Sequence, residues 1–244
     1  MGTGAFQFGE WRANQRVVVT ANASYWDGKP AVNTVVFRPI TDGNTRVAEM
    51  LSGGSDAMVE VPPDTVTLFA EKRKRFRLYE TTGPHVWYVM LNAQVPPFND
   101  VRVRQAVNYA VNKQSLVDNI LQGSADVADG PIPAAFSWAA NPDVKAYPYD
   151  PQKARELLKA AGAEGATLTF YVTEGGSGML DPVPMATALQ ADLKAVGLNV
   201  KIETYEWNTY LSKVNAGLTP QTPMAEMEWM TNDPDTLPFL TLRP

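Results

Sequence analysis

Residues 167–204 run strand, helix, strand in an order that favours one arrangement. Leu168, Phe170 and Val172 alternate with polar neighbours as in a half-buried strand. Asp181-Pro182 then gives a helix start, an aspartate cap followed by a proline at the first helical position. Met185, Leu189, Leu193 and Val196 carry the helical period, Gly197 stops it, and residues 198–204 alternate again. Two strands joined by a helical crossover pair in parallel. Open sheets of this kind take ligands outside the carboxyl ends of their strands. That rule points to residues 172–178 and 205–207.

Those ends are rich in aromatic side chains. Tyr205-Glu206-Trp207-Asn208-Thr209-Tyr210-Leu211 follows the second strand, and Trp229-Met230-Thr231-Asn232-Asp233 closes a later strand over residues 224–230. Aromatic faces hold apolar side chains and cations at low entropy cost, and one carboxylate beside them suits an ammonium group. The candidate ligand-binding residues are therefore Asp233, Trp207, Tyr205 and Trp229, with Thr231 and Asn232 beside the carboxylate. They suit capture of a small cationic or peptide-like solute. Trp207 and Tyr210, three apart on a helix, equally satisfy a core-facing stripe, and Asp233 equally suits a cap or turn.

The rest of the chain divides by character near Pro96-Pro97-Phe98. Before it, residues 6–8, 16–20, 32–40, 56–61, 75–80 and 86–92 read as strands, the last apolar enough for burial on both faces. Residues 45–52, stopped by Gly53-Gly54, and 63–71, opened by proline, read as helices. After it, Asp100 caps a helix carrying Val103, Ala106, Val107, Ala110 and Val111, and residues 115–121 form another. Residues 124–149, with Trp138, form a long aperiodic loop that suits a further wall of the site and equally a plain surface role. Asp150-Pro151 opens a helix ending at Gly162, and residues 207–216 form the helix after the last parallel strand.

Composition narrows the chemistry. The 244 residues are 45% hydrophobic, enough for a sizeable core, with a formal charge of −5 that argues against a nucleic-acid surface. The basic run at residues 72–77 reads as a solvated helix end. There is no cysteine, hence no disulfide or thiolate chemistry. No apolar run reaches the ~18 residues of a membrane span, and Met1-Gly2-Thr3-Gly4 lacks a basic, apolar leader. The single histidine, His85, has no serine elbow to serve; Ser177, in Gly175-Gly176-Ser177-Gly178, suits a flexible strand-to-helix loop. Asp233 and Asp235 flank a proline as turn-formers do. No phosphate loop, calcium loop or zinc motif occurs. The expectation is a non-enzyme without cofactor or metal.

Seven segments in order resemble one family: the bacterial extracellular solute-binding proteins of the peptide and nickel class, which includes dipeptide- and oligopeptide-binding proteins of ABC importers. They are Gly2-Thr3-Gly4-Ala5-Phe6-Gln7-Phe8 with Glu10-Trp11, residues 22–30, Phe37-Arg38-Pro39-Ile40 with residues 48–52, residues 97–107, Gly130-Pro131-Ile132-Pro133, residues 147–153, and Tyr205-Glu206-Trp207.

The resemblance implies an α/β fold of the two-lobed periplasmic-binding-protein type, class II-like, whose second lobe carries the β-α-β units and whose halves close like a hinge. Residues 1–92 would be part of the first lobe, residues 93–244 the second, and the chain would lack family segments at both ends. It also implies that Asp233, matched through Met230-Thr231-Asn232-Asp233, holds a peptide's free amine. The partners would be a small peptide or other solute and a membrane ABC permease, the protein monomeric and periplasmic or lipid-anchored at the cell surface. On this reading the 244 residues alone bind weakly. The rival readings are a carboxylate-dependent hydrolase in the same cleft and an interaction module without a ligand.

Overall fold

The computed structural model describes residues 2–176 and 178–241, with side chains placed through residue 238. Contacts divide the chain into two compact units, residues 1–56 and 57–244.

In the first unit, β1 (Phe6–Arg12), β2 (Arg16–Ala21) and β3 (Thr34–Phe37) form an antiparallel sheet in that order. The register slips between Phe8 and Glu10, a bulge at Gly9, where an added Cβ would lie 3.1 Å from the Val18 carbonyl oxygen. Helix α1 (Gly43–Ser52) starts where Asp42 accepts from the Thr45 amide at 2.7 Å and stops at Gly53, whose φ of 84° is the left-handed cap expected of glycine.

The second unit opens with a 3-10 turn, Pro63–Thr65, leading into α2 (Val66–Glu71). Strand β4 (His85–Leu91) follows, then α3 (Val101–Ala110), α4 (Lys113–Ser115) running into a π-helical turn at Leu116–Ile120, and a 3-10 segment, Ala134–Ala139. The last part alternates: α5 (Pro151–Ala161), β5 (Thr167–Thr173), α6 (Pro182–Ala195), β6 (Asn199–Tyr205), α7 (Trp207–Asn215), β7 (Met224–Met230), α8 (Thr236–Thr241). The four-stranded sheet has the order β4-β7-β5-β6. Strand β5 is parallel to β6 and β7, and β4 is antiparallel to β7.

One face of this sheet is the core. Leu168, Phe170, Val172 and Met224 are buried there against Ala186, Leu189 and Leu193 of α6, Ala154 and Leu158 of α5, and Val103, Ala106 and Ala110 of α3. The long loop is tied down at its far end. The Lys113 ammonium donates to the Asn108 carbonyl at 3.1 Å and to that of Tyr147 at 3.4 Å, and Tyr109 meets the Tyr147 ring edge-on.

Three expected strands differ. Residues 56–61 and 75–80 are irregular: Glu60 takes a left-handed φ of 55°, which breaks an extended run, and Phe76 instead packs edge-on against Phe69 of α2. Strand β4 forms as expected but is mostly half-buried, because it is an edge strand with a single neighbour.

Candidate functional site

Because β5, β6 and β7 run in parallel, their carboxyl ends reach the same edge of the sheet. Residues 174–176 leave β5 there, Glu206-Trp207 leaves β6, and residues 231–235 leave β7. The sequence-derived candidates therefore belong to one edge, although among the described residues no hydrogen bond or ring contact links Asp233 to Trp207, Tyr205 or Trp229.

Glu206 caps α7 through its carboxylate, which accepts from the Asn208 and Thr209 amides at 2.9 and 3.3 Å. This fixes the helix start and with it Trp207, which stacks on Tyr210 with centroids 6.1 Å apart and ring planes 15° apart. The indole lies flat against Gly176, where any Cβ would collide with its benzenoid ring. Ser177 lies outside the described residues.

Tyr205 faces a different neighbourhood. Its ring meets Tyr171 edge-on at 5.2 Å, Lys213 places its ammonium 4.5 Å from the ring centroid, and its hydroxyl donates to Glu203 at 2.8 Å. That bond to Glu203 is the main reason the phenol is pushed up to about 12. Trp229 is 37% exposed and pairs in register with Val86. Thr231 is buried, its amide donating to the Pro84 carbonyl at 3.1 Å and its hydroxyl bonded to the Asp233 carbonyl. Asn232 and Asp233 are exposed. One Asp233 carboxylate oxygen accepts from the Asp235 amide at 2.8 Å, the turn geometry that an aspartate before proline favours.

Sequence reasoning missed two carboxylates at this edge. Glu226 and Glu228 share the face of β7 that Met224 buries, since alternate residues face alike. Glu226 is fully buried: one oxygen accepts from the Thr173 amide at 3.0 Å, and the other makes no hydrogen bond. The Trp87 indole N–H is also buried and stops short of bonding geometry, though it is near enough to favour the carboxylate. Burial outweighs both donors and pushes Glu226 up to about 8. Glu228 is pushed to about 8 by burial and, second, by Glu60. Glu60 accepts from the Gly178 amide at 2.8 Å, and a Cβ on Gly178 would meet the Glu228 carboxylate at 2.7 Å. The available signal was two charges spaced by two in a strand otherwise built of Met224, Ala225 and Met227.

No group of three or more histidine, cysteine, aspartate or glutamate side chains suited to a metal occurs among the described residues. The basic run lines two open surface depressions, one of about 550 Å³ bounded by Glu71, Lys72, Arg73, Lys74 and Arg75 and one of about 360 Å³ that Arg73 and Arg77 share with Phe69, Phe76 and Tyr79.

Residues 1–243 match the family described as bacterial extracellular solute-binding proteins, family 5, middle region. The chain belongs to this family. The resemblance drawn from the seven segments is borne out, and the family is one of solute-binding receptors. Over 99% of the chain, the dipeptide-binding protein of Escherichia coli (strain K12) is 35% identical. The heme-binding protein A of Haemophilus influenzae is 32% identical over 89% of the chain. The α/β fold matches solved periplasmic binding proteins. The DppA protein of Helicobacter pylori, in complex with the peptide STSA, superimposes with a TM-score of 0.86 at 32% identity, covering 98% of this chain and 45% of its own. NikZ of Campylobacter jejuni, in complex with Ni(L-His), gives 0.81 at 25% identity, covering 96% and 47%. The chain spans 45% and 40% of the lengths of the E. coli and H. influenzae relatives, respectively.

Proposed function

We propose that the protein carrying this chain is a periplasmic or surface receptor that captures a small peptide and delivers it to an ABC permease in the membrane. The carrying observation is the shared edge, where three parallel strands end in aromatic and acidic residues, as the binding rule for open α/β sheets requires. The family supports a receptor role, and the relatives named for dipeptides and solved with a peptide support that solute class.

Asp233 holds the peptide's amine, with Asn232 and Thr231 as polar neighbours, while Trp207, Trp229 and Tyr205 enclose its side chains. Binding is reversible, without a covalent step, and the receptor acts as a monomer. The lobes close over the solute by hinge motion, and the chain passes between them near residues 92 and 93, with β4 held to β7 along its whole length.

Thermal denaturation of the intact protein against di-, tri- and oligopeptides tests the reading, because a ligand at 100 times its Kd adds ~2.7 kcal/mol. Peptide should be recovered unchanged. Asp233→Asn should weaken binding of a free-amine peptide about tenfold and leave binding of its N-acetylated form unaltered. No shift with any peptide rejects the proposal.

A further inference from the structure

Strand β7 leaves β5 early. The two pair only at Phe170 with Met224 and Tyr171 with Ala225, although β5 continues to Thr173 and β7 to Met230. The hydrogen bonds at the point of departure explain why. The Glu174 amide donates to Tyr205 on β6, so the amides of Tyr171 and Thr173, on the opposite side of β5, point toward β7. Extending the evenly spaced parallel ladder by one step would place the Thr173 amide on the Glu226 carbonyl. Both groups are instead taken by other partners. The Thr173 amide donates to the Glu226 side chain at 3.0 Å, and the Glu226 carbonyl accepts from the buried Tyr210 hydroxyl of α7. The donor and the acceptor of this lost rung are both satisfied, so the fork leaves neither the Thr173 amide nor the Glu226 carbonyl an orphan.

We propose that Glu226 is the positioning residue of the solute site: its side chain substitutes for one rung of the β5-β7 ladder, and so holds apart the two segments, residues 174–176 and 229–233, between which the solute lies. This rests on the receptor reading above. The fork also explains why Tyr210, on the same helical stripe as Trp207, is fully buried, and why a carboxyl stands in a core of Phe170, Val172 and Met224. The ionisable groups around it are Tyr210 from α7 and Glu228 two residues along β7; Tyr88 of β4 faces Tyr210, and Glu60 faces Glu228.

The test uses Glu226→Gln, Glu226→Leu and Tyr210→Phe in the intact protein. Glutamine keeps the acceptor for the Thr173 amide and should bind peptide within twofold of the parent. Leucine removes it and should cost at least tenfold in affinity per folded molecule, with faster hydrogen exchange at the Thr173 amide. Phenylalanine should lie between. A leucine variant that folds, keeps affinity within twofold and keeps Thr173 protected overturns the proposal. If leucine prevents folding, the glutamine and phenylalanine variants decide: unchanged affinity and unchanged Thr173 exchange for phenylalanine would overturn it.

A second readout is spectroscopic. In a Glu228→Gln background, which removes the other raised carboxyl in register with Trp87, ionisation of Glu226 beside the indole should give a fluorescence transition centred near pH 8 that is absent once Glu226→Gln or Trp87→Phe is added. A transition that survives both additions counts against the fork. If the parent binds no peptide, the receptor reading fails and the positioning role with it, while Thr173 exchange still reports whether the fork exists.

Discussion

Gly176 and Trp207 show what one missing methyl group allows. The indole lies against the glycine backbone, so Gly176→Ala must push the ring off its stack on Tyr210. Overpacking of this kind costs about 1–3 kcal/mol; urea denaturation and a shifted tryptophan emission should report it, and an alanine variant with the parent's stability and spectrum would show that the ring yields freely. Trp207 and Tyr210 were legible as a pair from their helical spacing. Their division of labour was not, because the hydroxyl of Tyr210 finds its partner sixteen residues away, on the Glu226 carbonyl. Asp233 was legible both as an amine anchor and as a turn-former. Its bond to the Asp235 amide supplies the turn, and the exposed carboxylate remains available for the role proposed for it.

At the level of elements, the two Asp-Pro helix starts look alike in sequence and differ in the folded chain. Asp150 caps α5 by accepting from the Lys153 amide at 2.9 Å, whereas Asp181 makes no side-chain bond to α6 and is pushed up by burial and then by Asp64. Asp150→Ala should therefore cost about 1 kcal/mol, while Asp181→Ala should change stability by less than about 0.5 kcal/mol near neutral pH. Equal losses in thermal denaturation would show that the motif acts through something other than its cap. Helix starts, glycine stops and the parallel strand pair were readable because each depends on a few neighbouring residues. The strands expected at 56–61 and 75–80 did not form, since a local apolar pattern cannot report whether a pairing partner exists. Phe76 spends its apolar surface on Phe69, and the left-handed backbone at Glu60 ends any extended run.

For the molecule as a whole, the two acids on one face of β7 set the direction in which stability responds to pH. Glu226 and Glu228 are each pushed up to about 8, from the 4.5 of an ordinary glutamate. Between those values the folded chain holds protons that the unfolded chain has released. Their contribution is thus fully present below about pH 4.5 and is lost as pH rises through 8, at up to about 1.4 kcal/mol per pH unit for each group; Glu228, less buried, contributes the smaller share. Carboxylates such as Asp42 and Asp100 are lowered by hydrogen bonds, Asp42 chiefly from Thr45 and Asp100 from Arg102, and act in the opposite sense, losing stability only as pH falls through the acid range. They lie at the surface, where solvent screens such contacts. The balance predicts that stability falls from pH 5 to pH 8. Urea midpoints measured across that range should show the fall, Glu226→Gln should remove the larger part of it, and the double variant with Glu228→Gln should flatten it. A parent protein whose midpoint holds steady or climbs between pH 5 and 8 would mean that water or a cation reaches these carboxyls, and that the interior of the sheet edge is open rather than closed around Glu226.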